Sequence, residues 1–338
     1  MGKSLIGIVH NVPRAEGYDF TDSSQDVLVQ VGSVEKALGE LGYSSRRIPF
    51  TRDVDRFVGD VRREKIGLAF NLCETVDEEP LFAGHAAAVM ELLDIAFTGS
   101  PSMAIMNTTD KVMTKRILKA CGIRTPEYLI YEGSGHFNPG CLRFPLIVKP
   151  RFEDASVGID QESIFSGEKK LKEKLPVLFK RFGPLLVEEY IEGDEYNVSL
   201  FGHPVPRVMP VAEIDFSAFP GELHRIVGYR AKWDETSFEF HHTPRRFPDD
   251  LSPSLRNNLE ATALECFHIF MLRDYGRVDI RVDRNQRPHV LEVNANPCIS
   301  PDAGFPASLA QAGISYRDMI SHFITFAARR SSAHDQTR

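Results

Sequence analysis

Two runs near the end of the chain carry the clearest alternation of apolar and polar positions. In residues 276–283, Val278, Ile280 and Val282 alternate with Arg277, Asp279, Arg281 and Asp283, the period-two pattern of a strand buried on one face. In residues 289–297, Leu291 and Val293 face one way while Glu292 and Asn294 face the other, and Arg284-Asn285-Gln286-Arg287 between the runs reads as a hairpin loop. With Asp283 and Pro288 as the partners flanking that loop, the register pairs Ile280 with Leu291, Asp279 with Glu292, Val278 with Val293 and Arg277 with Asn294.

The rest of the chain alternates between strand and helix patterns. Leu5 to Val9 reads as a first strand, and Val27, Val31, Val34, Leu38 and Leu41 recur at helical spacing before Gly42, a C-terminal stop. A strand over Ile66 to Phe70, a helix over Ala83 to Leu93 and a short strand over Ile95 to Thr98 complete an N-terminal α/β unit with a parallel sheet, ending near Pro101. A helix from about Thr109 closes at Gly122. Strands follow over Glu127 to Tyr131, Leu146 to Lys149 and Leu185 to Ile191, the first two separated by a Gly-rich turn from Glu132 to Gly140. The Glu192-Gly193-Asp194 turn leads into a strand from Glu195 to Phe201, and Ser252-Pro253 starts a long helix carrying Leu255, Leu259, Ala263, Cys266, Phe267 and Phe270. There is no internal repeat.

The hairpin register has a chemical consequence. Two carboxylates directly opposed across strands repel, and the pairing is stable only with a cation between them or with neutralisation by Arg277 and Arg281 on a solvated face. Asp279 and Glu292 with the amide oxygen of Asn294 form an all-oxygen set that suits magnesium, which keeps waters and takes further ligands from substrate phosphates. Arg277 on the same face would meet phosphate oxygens.

Composition narrows the partners. The 338 residues are 42% hydrophobic and 26% charged, enough for two or three packed domains, and only the polar tail after Arg330 suggests disorder. A net charge of -7 argues against nucleic acid or an anionic membrane as the main partner. No apolar run approaches membrane-spanning length, and the start reads as a strand rather than a signal peptide. Five widely spaced cysteines fit reduced thiols in a cytoplasmic protein.

Two segments are candidates for handling phosphate. Lys149 ends an apolar strand and is followed by the small-residue loop Glu153-Asp154-Ala155-Ser156-Val157-Gly158, whose backbone N–H groups and hydroxyl suit phosphate oxygens. Lys111, just after Asp110 at a helix start, is the second. Taken alone, such a loop is more often merely a turn, and a first-turn lysine is more often a surface one.

Their order along the chain closely resembles the D-alanine–D-alanine ligase family of ATP-grasp enzymes. The resemblance runs from Asp110-Lys111 through Lys149-Pro150, Glu153 to Gly158, Val187 to Ile191 and Glu195. It ends on Arg277-Val278-Asp279 and Glu292 to Pro297, and in all covers residues 60 to 325. It implies an α/β fold, α+β in the C-terminal half, with the three-domain ATP-grasp architecture. The parts would be a Rossmann-like N-terminal domain at 1–104, a small central subdomain at 105–190, a metal-binding C-terminal domain at 191–330 and a tail at 331–338. The cofactors implied are ATP and two magnesium ions, or manganese. Lys111 and Lys149 would hold ATP phosphates, with Glu153 and Ser156 in the phosphate loop. Glu188 would meet the adenine amino group beside the Ile191 backbone, and Glu195 the ribose. Asp279, Glu292 and Asn294 would hold the metals, and Arg277 would stabilise the transferred phosphoryl group.

The implied reaction joins a carboxylate, activated as an acyl phosphate, to an amine, releasing ADP and phosphate. Such an intermediate must be kept from water, and Gly221 to Pro248 reads as the lid, with Lys232 in Tyr-Arg-Ala-Lys-Trp reaching the phosphate. The sequence departs from the family where amino acids are recognised. The family's N-terminal glutamate has no clear equivalent in Asp22 to Asp26, its His-Gly run is replaced by Asn71 to Glu78, and a serine and a tyrosine become Ala155 and Trp233. An acceptor-side serine aligns with Ala303, before Gly304. Glu74, Asp22 and Gly304 are therefore substrate candidates, with Asp26, His85 and Arg151 behind them. The expectation is an amino-acid or dipeptide ligase of altered specificity; the alternatives are a D-alanine–D-alanine ligase proper and an ATP-grasp phosphotransferase. Small molecules would be its partners, and family members are often dimers.

Overall fold

The computed structural model describes residues 5–13, 19–133 and 137–335; residues 1–4, 14–18, 134–136 in the Glu132 to Gly140 turn, and 336–338 lie outside it. Three sheets follow one another along the chain. The first is parallel throughout, in the order β2-β1-β3-β4, from β1 (Ile6–Asn11), β2 (Ser45–Phe50), β3 (Leu68–Leu72) and β4 (Ala96–Phe97). Helices α1 (Thr21–Glu40), α2 (Val54–Arg63) and α3 (Ala83–Leu92) connect its strands. All six residues of β1 are buried, as a central parallel strand covered on both faces requires.

Helix α4 (Ser102–Thr109) runs directly into α5 (Lys111–Ala120). Asp110 ends the first and caps the second, accepting from the N–H groups of Val112 and Met113 at 3.0 and 3.2 Å. The sequence pattern merged this junction into a single helix start near Thr109. The second sheet is antiparallel in the order β5-β8-β6-β7, from β5 (Tyr128–Tyr131), β6 (Leu146–Pro150), β7 (Ile164–Phe165) and β8 (Leu185–Glu189), with α6 (Glu168–Phe182) packed on it. Its core is its own, built from Leu146, Val148, Leu171, Leu175, Leu185 and Val187.

The third sheet runs β12-β11-β9-β13-β14, with β10 (Arg207–Val208) on the side of β9 (Gly193–Gly202). Its other strands are β11 (Ala212–Ile214), β12 (Arg245–Arg246), β13 (Asp274–Asp283) and β14 (Pro288–Asn294). The hairpin pairs Arg277 with Asn294, Val278 with Val293 and Asp279 with Glu292, as the alternation predicts. Beyond Asp279 the register shifts. Ile280 pairs with Val290 rather than Leu291, because a bulge leaves Leu291 unpaired and moves the loop-side partners by one residue.

Short helices α7 (Tyr229–Trp233) and α8 (Phe238–His241) lie in the lid segment. Helix α9 (Pro253–Ile269), capped by Ser252 through the Leu255 N–H at 3.2 Å, buries Leu255, Leu259, Ala263, Cys266 and Phe267. The chain ends in α10 (Gly304–Gln311) and α11 (Tyr316–Asp335). Helix α11 continues past Arg330, where composition suggested a disordered tail, and it packs on the first sheet as well as the third: Ile320, Phe323 and Ile324 share a core with Val31, Phe70 and Leu72 and with Phe201 and Tyr275. No helix among the described residues is long and apolar enough to cross a membrane, and all five cysteines are free.

Candidate active site

The ends of the strands in the second and third sheets face one another across a cavity of about 530 Å³, closed on a third side by the first α/β unit. Lys149, Glu153, Ser156, Glu188, Ile191, Glu195, Lys232, Arg277, Asp279, Glu292, Asn294, Glu74 and Gly304 all line it. Four other residues put forward from the sequence do not. Asp22 is exposed in the first turn of α1, and Asp26, one turn further along, lines the cavity in its place. Lys111 is buried behind the loop, its Nζ donating to the Glu153 carbonyl and to Asp154 at 3.0 Å. His85 and Arg151 also lie outside the lining. Arg151 instead braces Asp110 with two hydrogen bonds of 2.8 and 2.6 Å.

At one end, Glu188 is fully buried between Lys115 and Lys149, at 2.6 and 2.5 Å. Burial pushes its carboxyl up, but the two ammonium groups outweigh that and hold it below the ordinary range. Lys115 was not legible as a site residue, because an interior lysine in an amphipathic helix looks like any solvated one. Arg281 is the second residue sequence reasoning missed. It bonds Glu195 at 3.1 Å, the Ile191 carbonyl at 2.8 Å and the Arg225 carbonyl, and its guanidinium lies 4.8 Å from the Tyr190 ring centre. Placed in β13 on the polar side, it read only as a neutralising surface charge.

At the other end, Arg277 grips Asp279 with two bonds of 2.7 and 2.8 Å, and Asn197 donates to the same carboxylate at 2.8 Å. Burial first, then Glu292, pushes Asp279 up to about 6 against the pull of Arg277. Glu292 goes the other way: burial opposes its charge, but Lys111 and Lys232 hold it well below the ordinary range. The sequence expected the amide oxygen of Asn294 to face a metal. Here its Nδ2 donates to Asp279 at 3.2 Å and to Glu292 at 3.3 Å, so ligation requires the amide to turn over. Among the described residues, no three His, Cys, Asp or Glu side chains cluster as a metal site. Two carboxylates and an amide fit magnesium as a partial set, which phosphate oxygens and waters complete.

The lid segment is fastened to the phosphate-loop candidate. Ser156 Oγ donates to the Val227 carbonyl at 2.7 Å, Tyr229 N–H to the Ile159 carbonyl at 2.8 Å, and Trp233 Nε1 to the Ala155 carbonyl at 3.0 Å. Gln161 exchanges two bonds with the His224 backbone, at 3.0 and 2.8 Å. Ala155 and Ser156 both take left-handed backbone conformations, φ +53° and +61°, which cost non-glycine residues energy and are held by these same bonds.

On the wall from the first α/β unit, Gln30 bridges Asp26 and Glu74 at 3.0 and 2.9 Å, and Asp26 accepts from Ser300 at 2.9 Å. Burial pushes Glu74 up to about 7, with Asp26 and Asp154 adding to it against the Gln30 bond. Glu153 is likewise pushed up to about 7, by burial and then Asp154.

A two-lobed cleft between antiparallel sheets, with lysines and a buried acid at one end and opposed carboxylates at the other, defines an ATP-grasp fold. Residues 117–325 match the family model described as the D-Ala–D-Ala ligase C-terminus. A D-alanine–D-alanine ligase of Carboxydothermus hydrogenoformans is 31% identical over 319 residues, 89% of this chain and 94% of its own. An uncharacterized Sinorhizobium fredii protein, y4sG, is 31% identical over 265 residues, 78% of this chain and 75% of its own. The chain belongs to the D-alanine–D-alanine ligase family. In fold it is similar to the ATP complex of the Bacillus anthracis D-alanine–D-alanine ligase, with a TM-score of 0.76 and 23% identity, covering 98% of this chain and 99% of that one.

Proposed function

We propose that this protein is an ATP-dependent carboxylate–amine ligase that joins amino acids through an acyl phosphate, with amino-acid recognition altered from that of its named relatives. The observation that carries the reading is the opposition of Asp279 and Glu292 beside Arg277 and Lys232, in the same cavity as Lys149 and Glu188. Lys149 and, once released from Asp154, Lys111 would hold ATP phosphates against the loop containing Glu153 and Ser156. Glu188 and the Ile191 backbone would meet adenine, and Glu195, drawn away from Arg281, the ribose. Asp279, Glu292 and Asn294 would hold magnesium, which neutralises charge on the transferring phosphoryl group. Arg277 and Lys232 supply fixed positive charge at the same place. The fastened lid keeps water from the activated acid.

Altered recognition rests on the acidic wall of Asp26 and Glu74 and on Ala303, which offers no hydroxyl. The relatives' names favour a second reading, a D-alanine–D-alanine ligase proper. The first experiment is ADP release from ATP with D- and L-amino acids, singly and in pairs, with and without EDTA, the products read by mass spectrometry. An amide from a pair other than two D-alanines supports the proposal, and one from D-alanine alone supports the second reading. Metal-independent turnover, or a stable phosphorylated product without amide, would overturn the ligase reading. Cytoplasmic location and a dimer through the first α/β unit belong to the same proposal; the dimer is checked by sedimentation.

A further inference from the structure

Away from the catalytic cavity lies a second one, of about 420 Å³, between the turn that joins β9 to β10 and one face of α11. The two cavities share no lining residue. Acidic residues outnumber Lys and Arg in the chain, 47 to 40, yet no Asp or Glu lines this second cavity. Its charged and titratable groups are His203 and Arg207 from the turn side and His322 and Arg329 from the helix.

Among the described residues, the side chains of Arg207 and Arg329 make no hydrogen bond and no ion pair. The carboxylate nearest to them is taken. Asp274, fully buried, accepts from the Gly99 N–H at 2.9 Å, pairs with Arg330 and stands 3.6 Å from His203 Nδ1. Burial first, then Arg330, Arg273 and Arg329, pushes the His203 imidazole below its ordinary value against the pull of Asp274, the mark of a locally positive field. Arg273 adds a buried Nη2 that has no acceptor. Like charges on two walls of one cavity repel until an anion lies between them.

The walls are fixed in advance. Pro204 and Pro206 restrict the turn, and Gly202, at φ +144°, has no room for a side chain, since a Cβ would stand 2.5 Å from the Val205 carbonyl oxygen. Phe201 and Phe326 are buried 5.4 Å apart, centre to centre, and hold the imidazoles: His322 is 5.7 Å from Phe201, and His203 is 5.9 Å from Phe326. His322 Nδ1 donates to the Asp318 carbonyl at 2.8 Å, which leaves Nε2 unused, and the Ser321 hydroxyl has no partner among the described residues.

We propose that this cavity binds the phosphate or diphosphate group of a small molecule, with Arg207 and Arg329 holding it from the two walls and Ser321 and the histidines completing the shell. Guanidinium forks and a hydroxyl match phosphoryl oxygens, and the volume leaves room beyond the phosphate for the rest of a metabolite. The site is separate from that for ATP and holds whether or not the protein is a ligase.

Binding of inorganic phosphate, inorganic pyrophosphate and glycerol phosphate is measured by calorimetry on the full chain in about 150 mM salt, which screens loose surface attraction. Both arginines are exposed, so replacing them leaves the fold intact. At least one of the three anions binds with a Kd below about 1 mM. Arg207→Ala and Arg329→Ala each weaken that binding at least about tenfold, and Arg207→Lys weakens it less. Arg317→Ala, which removes an exposed charge from the same helix outside the lining, changes it by less than about twofold. The KM for ATP stays the same in all four variants. Binding that is lost in Lys149→Ala but survives in Arg207→Ala and Arg329→Ala would put the anion in the catalytic cavity and overturn the assignment. So would an equal loss in Arg317→Ala, the sign of diffuse attraction to the surface, or no binding of any of the three anions to the native protein.

Discussion

Asp279 is the residue on which the proposed chemistry turns. Asp279→Asn removes a metal carboxylate and leaves Arg277 without its bidentate partner. Magnesium-dependent ADP release should fall at least about a hundredfold, and the melting temperature should fall as well, because buried Arg277 loses the charge that pairs with it. Glu74 makes a pH prediction. Its carboxyl is raised from 4.5 to about 7 in the folded protein, so between those values the unfolded chain has lost a proton that the folded one keeps. Stability therefore falls as pH rises through that window. Glu74→Gln, whose carbonyl still accepts from Gln30, should flatten the fall and stabilise the protein by about 2 kcal/mol at pH 8 relative to pH 5. Urea unfolding at the two pH values measures it. The opposed carboxylates were legible in the sequence, since alternation on both strands fixes the register. Lys115 and Arg281 were not, because their roles depend on contacts with Glu188 and Glu195, each at least 73 positions away in the chain.

At the scale of elements, the lid and the phosphate-loop candidate behave as one strap. Gly228 permits the contact: a Cβ there would stand 2.8 Å from the Ile159 carbonyl oxygen, a backbone atom that cannot swing aside. Gly228→Ala should lift the segment, raise the KM for ATP about tenfold and open residues 221–228 to protease, without a comparable loss of global stability. Steady-state kinetics and limited proteolysis read the two effects. Strongly periodic elements such as α1, α9, β13 and β14 could be read from sequence. Helix α6 could not, since Pro176 interrupts it and only Leu171 and Leu175 on a lysine-rich surface are buried. Tertiary packing of those two leucines against the second sheet outweighs the break.

For the whole molecule, the central feature is the aromatic cluster around Phe323. Its ring lies 4.4 Å from Tyr275, 5.5 Å from Phe201 and 5.8 Å from Phe70, centre to centre, which joins α11 to strands of the first and third sheets. Phe323→Ala should cost about 3–5 kcal/mol and destabilise both units together in urea. Separate transitions for the two would contradict this. The sequence showed a two-part alternation and the order of the sheets, but not that the last helix returns to the first sheet, because an amphipathic helix does not name its partner. Arg330 strengthens the return, bonding the Phe97 carbonyl at 2.6 Å and pairing with buried Asp274. This closure has a consequence for synthesis. Within the first unit, α1 alone covers the face of the sheet that carries Phe70 and Leu72, and α11 completes the cover beside it. The nascent chain must therefore keep the part of that face left open by α1 from other partners while more than two hundred residues are made, so the first unit is fully packed only once α11 has been synthesised.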